Sequence, residues 1–305
     1  MRNTLLLVAA VLVAAACGPK WHETEADGFK LVTQKGGATL GYTSAPLLIV
    51  DGYAFKDLDR SGTLDPYEDW RLPAETRAKD LASKLSIEEI AGLMLYSAHQ
   101  AVPGPDITER QRKFLEEDNL RAVLVTTVES PEVAARWNNN VQAFVESLGH
   151  GIPANNSSDP RNETAATAEF NLGSGGKISL WPTPLGMAAT FDPALVEQFG
   201  RIASEEYRAL GIATALSPQI DLATEPRWSR FNGTFGGIPP WTRTWPAPMW
   251  TASRLHPVSR TAGVPRVSMR WSSTGPPAVR RKAAATHTST TASTLSIPAA
   301  TSRTT

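Results

Sequence analysis

The amino-acid sequence predicts an α/β fold built on a parallel sheet, on three observations. Apolar, β-branched runs of strand length recur at 121–127 (RAVLVTT), 152–157 and 212–217. Amphipathic helical segments at 131–148 and 193–210 separate them, with Val133, Ala134, Trp137, Val141, Phe144 and Val145 at helical spacing in the first. Polar clusters follow two of the runs, where the carboxyl ends of parallel strands carry ligand chemistry. Strands alternating with helices of this length are the signature of parallel α/β architecture.

The elements follow in chain order. Arg2, an apolar run from Leu5 to Val13, and Ala14-Ala15-Ala16-Cys17 form an export signal spanning residues 1–17. The run is too short to cross a bilayer, which takes ~20 apolar residues. Two processing schemes stay open: acylation of Cys17 after a lipobox-like end, with Ala14 where Leu is usual, or ordinary cleavage after Ala-x-Ala. Either scheme places the mature protein outside the cytoplasm, as a periplasmic protein or an outer-membrane-anchored lipoprotein of a bacterium.

Residues 18–72 read as an N-terminal extension. Within it, Asp57, Asp59, Ser61, Thr63, Asp65 and Glu68 offer oxygens in the alternation of a calcium loop, with Gly62 at the sharp turn and Leu64 as the apolar anchor. A hard cation is satisfied by many oxygens converging on one centre, so a lone structural calcium is the expectation; an acidic surface turn is the alternative. No second loop is present, which argues against a paired sensor. The stretch from Leu81 to Met94 contains a helix start, with Ser86 and Glu89 forming a capping box ahead of Ile90, Leu93 and Met94 on one face.

At the end of the 152–157 run stands Asn155-Asn156-Ser157-Ser158-Asp159-Pro160-Arg161, and past the 212–217 run stands DLATEPRWSR, ending at Arg230. Asp159 reads either as an acceptor for sugar hydroxyls or as a cap or turn residue. Arg227, Trp228 and Arg230 suit a polar, ring-shaped ligand, or else salt bridges to Asp221 or Glu225. The five histidines show no metal spacing, and the Gly173–Gly176 loop lacks the Lys-Ser or Lys-Thr of a phosphate cradle.

Composition sets bounds. The 305 residues are 41% hydrophobic and 20% charged, so a packed core is feasible and wholesale disorder is excluded. Thirty basic residues balance thirty acidic ones, which argues against a nucleic-acid partner or a membrane-surface protein. The single cysteine excludes a disulfide framework and a cysteine-based zinc site. Charge is unevenly spread, however: residues 238–305 carry nine Lys or Arg and no Asp or Glu, with nine prolines, four tryptophans and 22 Ser or Thr.

Taken together, YEDWRLPAETRAKDLASKLSIEEIAGLM, HGIPANNSSDPRN, WPTPLGMAATFDPALVEQFGRIASEEYRALGI and SPQIDLATEPRWSRFNGTFG resemble the N-terminal part of glycoside hydrolase family 3, β-glucosidase-like exo-enzymes. The resemblance runs from about Ala54 to Gly236 and looks most like a secreted branch with a calcium-type loop before the barrel. It implies an incomplete (β/α)8 TIM-type barrel of the family 3 glycoside hydrolase N-terminal domain over residues 73–237, followed by an irregular basic tail, 238–305. It implies retaining removal of terminal β-D-glucosyl or related residues, in carbohydrate catabolism, through a carboxylate nucleophile and a carboxylic acid ~5–5.5 Å apart. Carried over by motif, Asp159 binds hydroxyls of the terminal sugar and Arg230 holds the same ring. The partner is then a β-linked oligosaccharide or glucoside, with no catalytic cofactor and membrane contact only through the lipid anchor.

The family's Gly-Glu-Asp-Pro segment, Lys-His pair, nucleophile and acid/base find no match after Gly236, so no catalytic residue is assigned. Read one nucleotide earlier with permitted codons, IPPWTRTWPAPMWTA becomes DPALDADLARAYVDG and RWSSTGP becomes AMVKHWP, both in keeping with the family. The expectation is a frameshifted tail from about Gly237 on a truncated, inactive chain. A different class stays open: a non-catalytic carbohydrate-binding or calcium-stabilised surface lipoprotein.

Overall fold

The computed structural model describes residues 20–26, 28–97, 104–125, 130–158 and 178–237, and the backbone of 270–271. The export signal with Cys17, the residue Asp159, and the tail apart from that dipeptide lie outside the described residues.

The extension folds as small antiparallel units. Strands β1 (Trp21–Ala26), β2 (Phe29–Gln34) and β3 (Leu40–Tyr42) form a three-stranded meander, and β4 (Leu47–Val50) pairs with β5 (Tyr53–Lys56). The β4–β5 register pairs Val50 with Tyr53, leaving Asp51-Gly52 as a two-residue turn with φ of 53° and 78°. Two left-handed residues match the twist of the flanking strands, which is why Asp-Gly sits there. Val32, Tyr42 and Ala54 are buried together, with Trp21, Leu40 and Leu47 packed over them.

Two helices cover the next stretch, α1 (Ala74–Lys84) and α2 (Ile87–Met94), and the second begins at the start the sequence predicts. Leu85 is extended, and Ser86 starts a new helix by accepting from Glu89 N while Glu89 returns to the Ser86 backbone. The capping box is therefore the predicted helix start, and it separates α2 from α1. It satisfies N–H groups that a fresh helix start would leave unbonded.

Beyond it lies a parallel sheet in the order β10-β9-β8-β7-β6. Its strands are β6 (Tyr96–Ser97), β7 (Ala122–Leu124), β8 (Asn155–Ser158), β9 (Thr214–Ala215) and β10 (Arg270–Trp271). Helix α3 (Glu109–Glu116) connects β6 to β7, and α4 (Pro131–Glu146) connects β7 to β8. Helices α5 (Pro184–Ala188) and α6 (Pro193–Ala209) lie between β8 and β9. Neighbouring strands in sequential order, with helices joining β6 to β7, β7 to β8 and β8 to β9, make the arc of an incomplete (β/α)8 barrel.

The register gives this arc two faces. Ser97, Val123 and Asn156 share one face, as do Ser158 and Ala215. That face meets the helices: Val123 and Ala215 are buried with Trp137, Val141 and Val145 of α4 and Val196, Phe199, Ala203 and Tyr207 of α6. Fully burying each large apolar side chain contributes about 1.5–3 kcal/mol, so this layer holds the sheet. The opposite face carries Tyr96, Asn155, Ser157 and Thr214, joined by Tyr96 Oη to Ser157 Oγ at 2.8 Å and Thr214 Oγ1 to Asn155 Oδ1 at 2.7 Å.

Three strands are shorter than the sequence predicts. Ile152 lies before β8 because its carbonyl accepts from Arg121 Nε, at 3.1 Å, and Pro153 has no N–H for a ladder. Ile212 N bonds Tyr207 O at 2.9 Å, so that residue still closes α6. Gly211 makes that exit at φ +83°, where a Cβ would overlap the Asn138 side chain. Ladder bonds nonetheless run past the formal ends, with Val125 N to Ser157 O and Leu216 N to Ser158 O, both 2.8 Å.

Candidate functional site

The carboxyl ends of β8 and β9 lie side by side, and the polar clusters predicted from sequence follow them. Asn156, Ser157 and Ser158 are buried at the end of β8. Asn156 Nδ2 donates to Asn138 Oδ1 of α4, which ties the strand end to the helix layer. Among the described residues, Ser158 Oγ and Asn156 Oδ1 are buried without a hydrogen-bond partner. Asp159, the next residue, lies outside the described residues.

Past β9 the chain runs through Gln219 and returns: Gln219 bridges to Thr234 in parallel, and Ala223 N bonds Gly236 O at 3.2 Å. This folded-back segment fixes Arg230 just before a 3-10 turn, Phe231–Gly233. The exposed Arg230 guanidinium donates from Nε and Nη2 to Gln219 Oε1 at 3.4 and 3.2 Å, a neutral acceptor. Its neighbour behaves otherwise. Arg227 grips Glu225 in a two-pronged pair, both contacts 2.8 Å, and that side chain together with the Arg227 backbone N–H holds the Glu225 carboxyl down at about 2. Of the two guanidiniums, one is spent on a local salt bridge, the alternative considered for this motif. The other is steered by an amide and pairs with no carboxylate among the described residues.

Residues 57–68 fold as a loop that turns at Gly62. Gly62 takes φ +76° at the sharp turn. One oxygen from each of Asp57, Asp59 and Glu68 lies within 4.8 Å of the others. Asp57 accepts from Ser61 N and Gly62 N at 2.9 and 3.0 Å, and Glu68 accepts from Leu58 N and Asp65 N at 2.5 and 3.1 Å. Burial raises the Glu68 pKa, and the Asp59 charge adds to it, against backbone N–H groups that pull the other way. Crowded carboxylates, two of them buried, fit a hard cation that would relieve their repulsion. Asp65 is drawn aside by Lys84 at 2.9 Å, and Ser61 and Thr63 bond to each other through their hydroxyls at 3.1 Å.

Sequence reading missed the group that docks the extension on the barrel. Glu146, at the end of α4, is buried and accepts from the backbone N–H groups of Thr43, Ser44 and Ala45 at 2.7, 2.8 and 3.1 Å. Lys56 Nζ closes the arrangement at 2.9 Å from Glu146 Oε2. Burial alone would raise this carboxyl, but Lys56 and the N–H groups outweigh it and hold the pKa at about 2. The only local signal was an acid on the helix's apolar side; its partners are about a hundred residues distant.

The glycosyl hydrolase family 3 N-terminal domain is matched over residues 82–262, past Gly236 where the quoted motifs end. The periplasmic beta-glucosidase/beta-xylosidase of Dickeya chrysanthemi is 42% identical over 213 residues, covering 68% of this chain and 32% of the relative. Beta-glucosidase C of Emericella nidulans is 35% identical over 190 residues, 59% of this chain and 29% of the relative. A solved β-glucosidase structure from Erythrobacter marinus superposes with a TM-score of 0.51 at 23% identity, over 68% of this chain and 26% of that one; this likeness concerns the fold. The chain spans about a third of the length of these curated relatives. A domain match over more than half the residues, on a parallel arc with its polar clusters at the strand tips, establishes that the chain belongs to glycoside hydrolase family 3 through that family's N-terminal domain.

Proposed function

We propose that the chain is the sugar-holding part of a retaining, exo-acting β-glucosidase-type glycoside hydrolase, and that in its present form it binds a terminal β-linked sugar without cleaving it. The observation that carries this is Arg230. Its exposed guanidinium sits past the end of β9, steered by Gln219 and opposed by no described carboxylate, so it retains donors for ring hydroxyls. Asp159, directly after the buried end of β8, is the acceptor proposed for the same ring. Retaining hydrolysis takes a nucleophilic carboxylate and an acid/base carboxyl ~5–5.5 Å apart, and no residue of this chain matches either by motif. Without them the oxocarbenium-like transition state has nothing to stabilise it more than the ground state.

Isothermal titration with glucose and cellobiose tests the binding. Millimolar affinity that disappears in Arg230→Ala supports the assignment, and affinity indifferent to that change removes it. Turnover of an aryl β-glucoside by the purified chain, above background, would refute the non-cleaving part.

The Asp57, Asp59, Glu68 loop is proposed to hold one structural calcium, with Ser61, Thr63 and Asp65 completing the oxygen set. Its supports are the alternating donors, the Gly62 turn and the raised Glu68 carboxyl. The signal and the periplasmic naming of the Dickeya relative support export. Acylation of Cys17 belongs to the same reading, and mass spectrometry of the mature N-terminus checks it. The acid-free composition of 238–305 supports an out-of-frame tail, which the nucleotide sequence across codons 234–240 decides.

A further inference from the structure

A cleft of about 270 Å³ opens at the amino ends of β7 and β8, where α2, the end of α3 and the turn at 148–152 converge. It lies at the opposite end of the strands from the sugar-holding residues, on the side of a barrel that ordinarily serves stability. Arg121 is its buried cation, 8% exposed. Its Nε donates to Ile152 O at 3.1 Å, and Nη1 donates to Leu115 O and Leu120 O at 2.5 and 2.9 Å. All three acceptors are neutral, and Nη2 makes no hydrogen bond among the described residues. Burial lowers the Arg121 pKa, and the charge of Glu89 acts against that. Glu89 gives Oε2 to the Ser86 cap, while Oε1 lies toward Gly149, 3.8 Å from where a Cβ there would stand. Glu116 is an exposed carboxylate at the rim, and His150 Nδ1 is buried without a hydrogen-bond partner among the described residues. Leu93, Leu148 and Ile152 supply an apolar wall. The walls are held from behind: Gly151, at φ +60°, packs so closely on Leu58 that a Cβ would stand 2.8 Å from it, and the His150 ring meets Tyr67 edge-on at 6.1 Å.

We propose that this cleft binds a zwitterionic α-amino acid with a small aliphatic side chain, its carboxylate on Arg121 and His150 and its ammonium between Glu89 and Glu116. Charge selects this class. A simple anion would gain Arg121 but meet two carboxylates, and a simple cation would gain the carboxylates but meet a buried guanidinium. A neutral polyol would leave that guanidinium without a counter-charge, which is costly at a buried site. A ligand carrying both signs answers both walls, with its carboxylate in a charge-assisted pair with Nη2. A metal ion lacks its ligand set here, since the acidic groups that converge within 4.8 Å among the described residues are Asp57, Asp59 and Glu68. Size agrees: pockets for drug-sized ligands run ~300–1,000 Å³, and this one, just below that range, suits a single amino acid better than an oligosaccharide. The side chain then rests on Leu93 and Ile152.

The probe is L-leucine, titrated calorimetrically into the full chain. Millimolar binding is expected. 4-Methylpentanoate, which lacks the ammonium, and 3-methylbutylamine, which lacks the carboxylate, should each bind about tenfold or more weakly, the loss of one charged hydrogen-bonding end. Glu116→Lys, at an exposed position, should leave the far-ultraviolet circular dichroism unchanged and weaken leucine about fivefold. Arg230→Ala, at the far end of the strands, should leave leucine affinity as it was, so the fate of the sugar assignment and the fate of this one are read separately. Absence of leucine binding, equal binding of either half-molecule, affinity indifferent to Glu116→Lys, or affinity lost in Arg230→Ala would each overturn the proposal.

Discussion

The N-terminal extension and the parallel arc are neighbours held by different physics. The arc is an apolar sandwich, with Trp137, Phe199, Tyr207 and Val123 excluded from water between helices and strands. Among its described residues the extension has a three-residue buried cluster and Phe55 stacked on Trp70, and much of its order comes from polar contacts: Glu146 on the 43–45 backbone, Gln34 bonded both ways to Ala54, and Arg71 between Asp51 and Asp69. An apolar layer tolerates changes of pH and salt, whereas a polar clamp answers to both. The clamp between the two regions is thus titratable, while the apolar layer inside the arc is not.

The comparison breaks most sharply at Phe199. Phe199→Ala is expected to destabilise the arc by about 3–5 kcal/mol, by lost transfer energy and the cavity left behind, read from urea unfolding. The loss should be the same at pH 4 and pH 7.

Glu146→Ala comes next, at about 3 kcal/mol. The folded carboxyl sits at about 2 against an ordinary value of 4.5. Because the folded pKa is depressed, this stabilisation is fully present above pH 4.5 and is lost as pH falls toward 2. The wild-type and variant melting temperatures should therefore converge across that window. Curves that stay parallel through it would remove the clamp.

These two sites also show what sequence could and could not disclose. Trp137 and Val141 announce the helix layer through spacing alone, and Ser86 with Glu89 announces a helix start, because both signals are local. The strand ends were blurred, since Ile152 and Ile212 are apolar and β-branched yet are claimed by Arg121 and by the close of α6. The β4–β5 hairpin was legible in Asp51-Gly52 between two apolar runs and was overlooked. Glu146 was not legible at all, because three N–H groups and an ammonium from elsewhere in the chain decide its role. At the candidate site, sequence named Arg227 and Arg230 alike; only the fold shows Glu225 occupying the first and Gln219 steering the second.

Two smaller effects sharpen the contrast. Chelation with EGTA should lower the melting temperature of the extension, the calcium contribution being about 2.7 kcal/mol at a hundredfold excess over the dissociation constant. Asp57→Asn should abolish the calcium response without touching the core, and a response that survives it would exclude the loop. Arg71→Met, at a partly exposed pair with Asp51 and Asp69, should cost no more than about 1 kcal/mol and less in high salt. A larger loss would mean that the extension depends on that side chain more than on Glu146.

The Glu146 contact has a consequence in time. Thr43 waits for an acceptor 103 positions further along. At ~5–20 residues per second of synthesis, the extension emerges from the ribosome roughly 5–20 s before its anchor does. For that interval it is a tethered fragment with its docking amides turned to water, and whatever binds nascent chains meets it in that state.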